Sequence, residues 1–229
     1  MARTTTIRRR LASRRSAGPC ATRSAGKATR CLAPRGAVRL AIVDLAYGNI
    51  GSIKLAFERL GVTPVVTADS VEISGADRVV LPGVGAAGHA MARIEARGLG
   101  DCLRSLKQPA LGICLGMQLL FDRSDEANSE CLGIIPGEVR ALSPAPGTPV
   151  PHMGWSRLAV ADAEIGIGTG EYVYFAHGYA CDTGPATVAT AEYGRTIPAV
   201  VRQGNWLGAQ FHPERSGAAG SNFLQAFLA

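Results

Sequence analysis

From residue 39 onward, short apolar runs alternate with segments of helical period. Residues 39–44 (RLAIVD) form an apolar run ending on a polar residue and followed by Gly48-Asn49, which predicts a first strand and the loop after it. Ile53, Ala56, Phe57 and Leu60 recur at the spacing of one helix face, and Gly61 stands where a helix C-cap belongs. Residues 63–67 and 77–81 predict two more strands, the second stopped by Pro82-Gly83-Val84-Gly85. Helical material over 90–106, a buried strand over 110–113 and a helix over 115–121 complete the first half. This alternation predicts an α/β fold with a central, mostly parallel sheet flanked by helices. Such sheets bind ligands at the carboxyl ends of their strands, where the segments after Asp44, Leu81 and Ile113 would lie.

From about Leu132 the pattern changes. Glycines and prolines between Gly133 and Gly154 punctuate short runs, and four further strands are predicted over 173–175, 187–191, 199–202 and 207–211. This half is β-rich and partly antiparallel. Ser221 or Asn222 can cap a last amphipathic helix over 223–228. With no repeat and no long linker, residues 39–229 read as one domain.

Composition changes this picture in one place. The chain has 229 residues and a formal charge of +6, yet residues 1–38 hold ten Arg and Lys and no acid. Taking those ten from the 24 basic residues leaves 14 against 18 acidic ones, a net of about −4 for residues 39–229. The basic segment lacks apolar periodicity and is expected to be a disordered tail. Its Arg-rich, Ser-rich character leaves open an organelle transit peptide, a basic arm touching nucleic acid, or sequence upstream of a true start at Val38. No apolar run approaches the roughly 20 residues of a membrane helix, so a soluble protein with no membrane partner is expected; a cytoplasmic location and no nucleic-acid partner are the further expectations. The six cysteines show no CxxC and no metal-ligand spacing with histidine, so neither a metal nor a disulfide framework is expected.

One cysteine stands in different surroundings. Gly112-Ile113-Cys114-Leu115-Gly116 has the strand, nucleophile, helix arrangement of a G-x-S-x-G elbow with Cys in place of Ser. Glycines at ±2 permit a sharp turn and close approach of neighbouring elements, and unpaired N–H groups at the next helix start favour an anionic sulfur. Read alone, Cys114 is equally a small core residue. A nucleophile needs a base, and among His89, His152, His177 and His212 the last stands out because Pro213 biases it toward extended backbone. If Glu214 continues that path, the period of two brings the carboxylate to the imidazole side, where it can orient the ring. A surface ion pair is the alternative. Backbone N–H groups of Gly83, Val84 and Gly85, with that of Leu115, can serve a tetrahedral oxyanion, although an ordinary strand-to-helix turn reads the same way. His177 reads as a structural, hydrogen-bonded histidine, and His89 and His152 have no informative context.

Together these segments resemble class I glutamine amidotransferases, and among them the glutaminase subunits of imidazole glycerol phosphate synthases. The resemblance runs from about Arg39 to the C-terminus. It is carried by Pro82-Gly83-Val84-Gly85, by Gly112-Ile113-Cys114-Leu115-Gly116-Met117-Gln118-Leu119-Leu120-Phe121, by Pro151-His152-Met153-Gly154-Trp155, by Tyr174-Phe175-Ala176-His177-Gly178-Tyr179, and by Gln210-Phe211-His212-Pro213-Glu214. It implies a flavodoxin-like α/β fold, a catalytic triad of Cys114, His212 and Glu214, and no cofactor. It also implies that Gln118 and Glu126 hold the amino-acid end of L-glutamine, with Tyr179 and the backbone of Gly83 to Gly85 lining the pocket. Asn49, Trp155 and Arg215 match a face that meets a (βα)₈-barrel cyclase subunit in a heterodimer. The bland readings are helix-surface residues for Gln118 and Glu126, core aromatics for Tyr179 and Trp155, and a solvated charge for Arg215. A glutaminase serving another synthase and an inactive regulatory module of the same fold remain the alternative functions. Three departures stand out: the first loop, Asp44-Leu45-Ala46-Tyr47-Gly48-Asn49, differs from the family's Asp-Tyr-Gly-x-Gly-Asn at its second to fourth residues, Gly178 replaces a hydroxyl residue, and Ser156 replaces an Asn.

Overall fold

The computed structural model describes residues 38–46 and 49–229. The expected basic tail, apart from Val38, lies outside these residues, as do Tyr47 and Gly48 of the first loop. In chain order the first half runs β1 (Leu40–Val43), α1 (Ile50–Arg59), β2 (Val65–Thr67), α2 (Ser70–Ser74), β3 (Arg78–Gly83), α3 (Ala87–Ala96), α4 (Gly100–Ser105), β4 (Ala110–Cys114) and α5 (Leu115–Gln118). The second half runs β5 (Arg123–Ser124), β6 (Ser129–Glu130), β7 (Glu138–Ala141), β8 (His152–Val160), β9 (Tyr172–His177), β10 (Tyr179–Cys181), β11 (Thr187–Glu192), β12 (Thr196–Gln203), β13 (Trp206–Ala209) and α6 (Gly217–Leu228).

Nine strands form one sheet in the order β2-β1-β3-β4-β13-β12-β11-β8-β9. Its first five strands are all parallel, in the order of a flavodoxin-like doubly wound sheet. From β13 onward every pairing is antiparallel, so the β-rich half extends the same sheet. A smaller four-stranded sheet, β10-β7-β5-β6, stands apart.

The central strands are apolar because both faces are covered. In β3, Val80 packs into one core with Ile42, Phe57, Leu111, Phe211 and Phe223, while Val79 and Leu81 pack into the other with Met91, Ile94, Met117 and Trp206. Alternate residues of a strand point to opposite faces, so β3 cannot alternate apolar with polar and is buried from Val79 to Gly83.

Several strand ends shift by a few residues from the sequence reading, and four boundaries differ for reasons the structure shows. The strand expected to stop at Leu81 continues to Gly83, in register with Cys114. Helical material over 90–106 is two helices, broken where Gly98 takes φ +62, open to glycine without a Cβ penalty. The helix expected over 115–121 ends at Gln118, because the carbonyls of Leu119, Leu120 and Phe121 accept from residues 132–135 instead of continuing the helix. The last helix starts at Gly217, not after Ser221 or Asn222, and the Ser221 hydroxyl donates back to the Gly217 carbonyl.

Candidate active site

β4 and β13 are parallel neighbours, with Ala209 opposite Ile113. Residues that follow them emerge side by side at the carboxyl edge of the sheet, which puts Cys114 at the end of one strand and His212 just beyond the other. Cys114 takes φ 54 and ψ −111, a backbone state that costs an L residue on the order of 1–3 kcal/mol. The turn survives because its flanks have no side chains. A Cβ on Gly116 would lie 2.0 Å from the Leu81 carbonyl oxygen, and one on Gly112 would lie 2.5 Å from that of Gly116. The sharp strand-to-helix elbow expected from the glycine spacing is therefore present, with Cys114 buried at its apex.

His212 has the extended backbone expected of a residue before proline, but Pro213–Arg215 turn as a 3-10 helix. Glu214 thus does not continue an extended path. The turn still brings its carboxylate to the imidazole, with His212 Nδ1 2.9 Å from Glu214 Oε1. The Glu214 side chain is 1% exposed, so this is no surface ion pair. Burial pulls the His212 pKa down, but hydrogen bonds to Cys114 and Glu214 and the charges of both outweigh it and hold the group up at about 10. The imidazole therefore carries a proton at neutral pH.

Ser216 fixes the segment in place. Its buried hydroxyl donates to the His212 carbonyl at 2.7 Å and accepts from the Tyr174 N–H at 3.0 Å, while the His212 N–H donates to the Tyr174 carbonyl at 2.9 Å. Nothing in the sequence singled out Ser216, since its partner lies 42 residues away.

A cleft of about 430 Å³ opens over these groups, within the range of small-molecule sites. Val84, Gly85, Leu115, Gln118, Glu126, Tyr179, Asn49 and Arg215 line it together with Cys114 and His212. Gly83 lies beneath, paired with Cys114, where a Cβ would meet the Gly116 nitrogen at 2.4 Å. Gln118 is buried, not on a helix surface, and its Nε2 donates to the Tyr179 carbonyl at 2.8 Å and to Gln210 Oε1 at 3.0 Å. Gln210, which the sequence reading left without a role, donates through Nε2 to Cys114 Sγ at 3.9 Å. Glu126 accepts from the Ala87 N–H at 2.7 Å at the start of α3. Trp155 is on the rim, not in the core: it is 54% exposed and meets Tyr174 edge-on at 5.9 Å. Arg215 is more than a solvated charge, since its guanidinium covers the same Tyr174 ring at 4.4 Å. Among the described residues no cluster of His, Cys, Asp or Glu has the makings of a metal site, and no helix is long and apolar enough to cross a membrane.

Comparison with known proteins meets this geometry. The family profile described as glutamine amidotransferase class-I matches residues 41–229. The chain belongs to the class I glutamine amidotransferase family. Amidotransferase chains named "Imidazole glycerol phosphate synthase subunit HisH" are close relatives: that of Xanthomonas campestris pv. campestris (strain 8004) is 49% identical over 192 residues, covering 82% of this chain and 96% of its own. The HisH chain of Xylella fastidiosa (strain Temecula1) is 47% identical over the same shares. Among solved structures, a putative GMP synthase component from Thermoplasma acidophilum superposes with a TM-score of 0.66 at 18% identity, over 85% of this chain and 94% of that one. A second, titled glutamine amidotransferase, gives 0.65 at 20% identity, over 82% and 99%. At such identities these two speak for the amidotransferase fold alone.

Proposed function

We propose that this chain is the glutaminase subunit of an imidazole glycerol phosphate synthase in histidine biosynthesis, with residues 39–229 as its amidotransferase domain. The reading is supported above all by one observation: a buried His212, bound to the Glu214 carboxylate, next to Cys114, the two delivered by adjacent parallel strands. In the proposed reaction the Cys114 thiolate attacks the side-chain carboxamide carbon of L-glutamine. The oxyanion is met by N–H groups of Leu115 and of Val84 and its neighbours Gly83 and Gly85. The His212 imidazolium gives its proton to the departing nitrogen, ammonia leaves, and a thioester remains. The now neutral His212 takes a proton from water, which attacks the thioester and releases glutamate, restoring thiolate and imidazolium. Glu214 holds the ring in place and stabilises its charged form.

Gln118, Glu126 and Tyr179 are assigned to the amino-acid end of the substrate, and Asn49, Trp155 and Arg215 to the partner face. Ammonia in bulk water becomes ammonium, which is no nucleophile, so the partner is a (βα)₈-barrel cyclase that takes it directly. The relatives' names, which make each one part of a synthase, support that partner. The pair would convert a phosphoribulosyl-formimino intermediate and glutamine to imidazole glycerol phosphate, an aminoimidazole carboxamide ribotide and glutamate, in the cytoplasm.

Replacing Cys114 with Ala in the complex with the cyclase should lower glutamine hydrolysis by at least about three orders of magnitude. The same complex should still make imidazole glycerol phosphate from added ammonia. Near-normal hydrolysis by Cys114→Ala would end the proposal, as would equal activity of the unsubstituted chain with and without the cyclase.

A further inference from the structure

Two buried imidazoles have no part in the proposed reaction. His152 opens β8, His177 closes β9, and the antiparallel register sets them opposite each other. They are 1% and 6% exposed. The His152 ring is clamped between Tyr193, stacked at 3.7 Å, and Phe175, stacked at 4.6 Å.

The direction of each hydrogen bond follows from chemistry. His177 Nδ1 lies 2.8 Å from the Tyr179 carbonyl oxygen, which only accepts, so Nδ1 bears the hydrogen. Burial holds both imidazoles down at about 4, so each is neutral near pH 7 and has a single N–H. His177 Nε2 must then accept, and it takes its bond from His152 Nδ1 at 3.0 Å. His152 Nε2 in turn accepts from the Ser156 hydroxyl at 2.9 Å. Every hydrogen in this line points one way, toward the Tyr179 carbonyl. That carbonyl is the oxygen that also receives Gln118 Nε2, whose second hydrogen goes to Gln210. Both donors of the Gln118 carboxamide are therefore engaged, and its acceptor oxygen is the group left for the cleft.

We propose that His152 and His177 form a positioning relay that fixes the Tyr179 carbonyl, so that Gln118 shows the cleft an acceptor and favours a substrate carrying an ammonium group. The inference rests on the glutaminase reading above. With the carbonyl released, the Gln118 carboxamide is free to turn over and present its NH₂, which repels an ammonium. Neither histidine need touch the substrate for this to act.

Two measurements test it. In the intact protein, long-range ¹H–¹⁵N NMR of the imidazoles should find both His152 and His177 as neutral Nδ1–H tautomers, the minor form in water. In the complex with the cyclase, kcat and KM are compared for glutamine and for 4-carbamoylbutanoate, which is glutamine without its α-amino group. His152→Phe keeps an aromatic ring in the clamp and removes the donor. It should lower kcat/KM for glutamine about tenfold, mostly through KM, and leave that for 4-carbamoylbutanoate nearly unchanged. His152→Asn, whose amide nitrogen takes the place of Nδ1, should recover most of the loss. Ser156→Ala removes one hydroxyl, should leave folding intact even where a ring replacement does not, and should move the same ratio by about threefold. Equal losses for both substrates, an unchanged ratio, or an Nε2–H tautomer at either histidine would overturn the relay. If instead the unsubstituted complex fails to hydrolyse glutamine, it is the glutaminase reading that falls.

Discussion

The two ends of the nine-stranded sheet meet the cleft on different terms. At the parallel end β3, β4 and β13 are buried on both faces, and backbone packs on backbone so tightly that a methyl group at Gly116 would strike the Leu81 carbonyl at 2.0 Å. That end can offer function only at its carboxyl edge, and the proposed reactive pair of Cys114 and His212 is there. At the antiparallel end β8 has one buried side, with His152 and Leu158, and one free side, with Met153 at 63% and Trp155 at 54% exposure. The free side serves twice, since Met153 lines the cleft and Trp155 beside it stays open to solvent and to a partner. The proposed function would then put its chemistry on the parallel strands and its partner recognition on the antiparallel ones, a division that can be tested by damaging each end in turn.

The largest effects belong to the parallel end. Glu214→Gln keeps the shape of the side chain but exchanges the charge that faces His212 Nδ1. Glutamine turnover in the complex should fall by about two to four orders of magnitude with the fold retained, as when other triad acids lose their charge. A loss under about tenfold would mean that the carboxylate does not support the imidazolium. Gly116→Ala should then cost about 3 kcal/mol of stability, read as a shift in the urea midpoint, because the Leu81 carbonyl belongs to a buried strand and has nowhere to go. Met153→Ala, on the free side of β8, should change stability by less than about 0.5 kcal/mol. Equal costs at the two sites would erase the contrast.

The same division decides what could be read from the sequence. The parallel end was legible because its signals are local: short continuous apolar runs, a period of 3.6 ending at Gly61, and glycines at fixed offsets around Cys114. Where a local signal was ambiguous the reading slipped. Leu115 to Phe121 is a continuous apolar run, and only residues 132–135 returning to take its carbonyls decide that the helix stops at Gln118. The contact of His212 with Glu214 was anticipated through an extended path that residues 213–215 do not follow, and a 3-10 turn makes it instead. His152, Gln210 and Ser216 were missed for a different reason. His152 finds its partner 25 residues away and Gln210 finds Gln118 at a separation of 92, so no window of sequence holds both halves of either pair.

Titration separates the two ends by sign. His212 is held up at about 10, above its unfolded value near 6.5, so its contribution to stability is complete below about pH 6.5 and is lost as pH rises through about 10. His152 and His177 are held down at about 4, so the unfolded chain binds their protons first on acidification. Their contribution is complete above about pH 6.5 and is lost as pH falls through about 4. Unfolding free energy measured in urea from pH 4 to 10 should fall at both extremes, each limb by on the order of 5 kcal/mol. His152→Phe should flatten the acid limb and Glu214→Gln the alkaline one. If each variant flattened the other's limb, the assignment of charge to the two ends would be reversed.

The last predicted effect probes the free side of β8. Trp155 packs edge-on against Tyr174 at 5.9 Å, and the Arg215 guanidinium lies over that ring at 4.4 Å, so an indole, a phenol and a cation form one exposed patch beside the cleft. Arg and aromatic side chains are the residues that anchor interfaces most often, because they bury large area with little flexibility to lose. Trp155→Ala removes mostly solvent-facing surface, so the isolated chain should keep its melting temperature. Its dissociation constant from the cyclase, measured by calorimetry, should rise about tenfold, whereas turnover at saturating cyclase should stay near normal. Arg215→Lys should act in the same direction and more weakly, since an ammonium keeps the charge but loses the planar stacking on Tyr174. Unchanged affinity in both variants would mean that the patch of Trp155, Tyr174 and Arg215 is not where the partner binds.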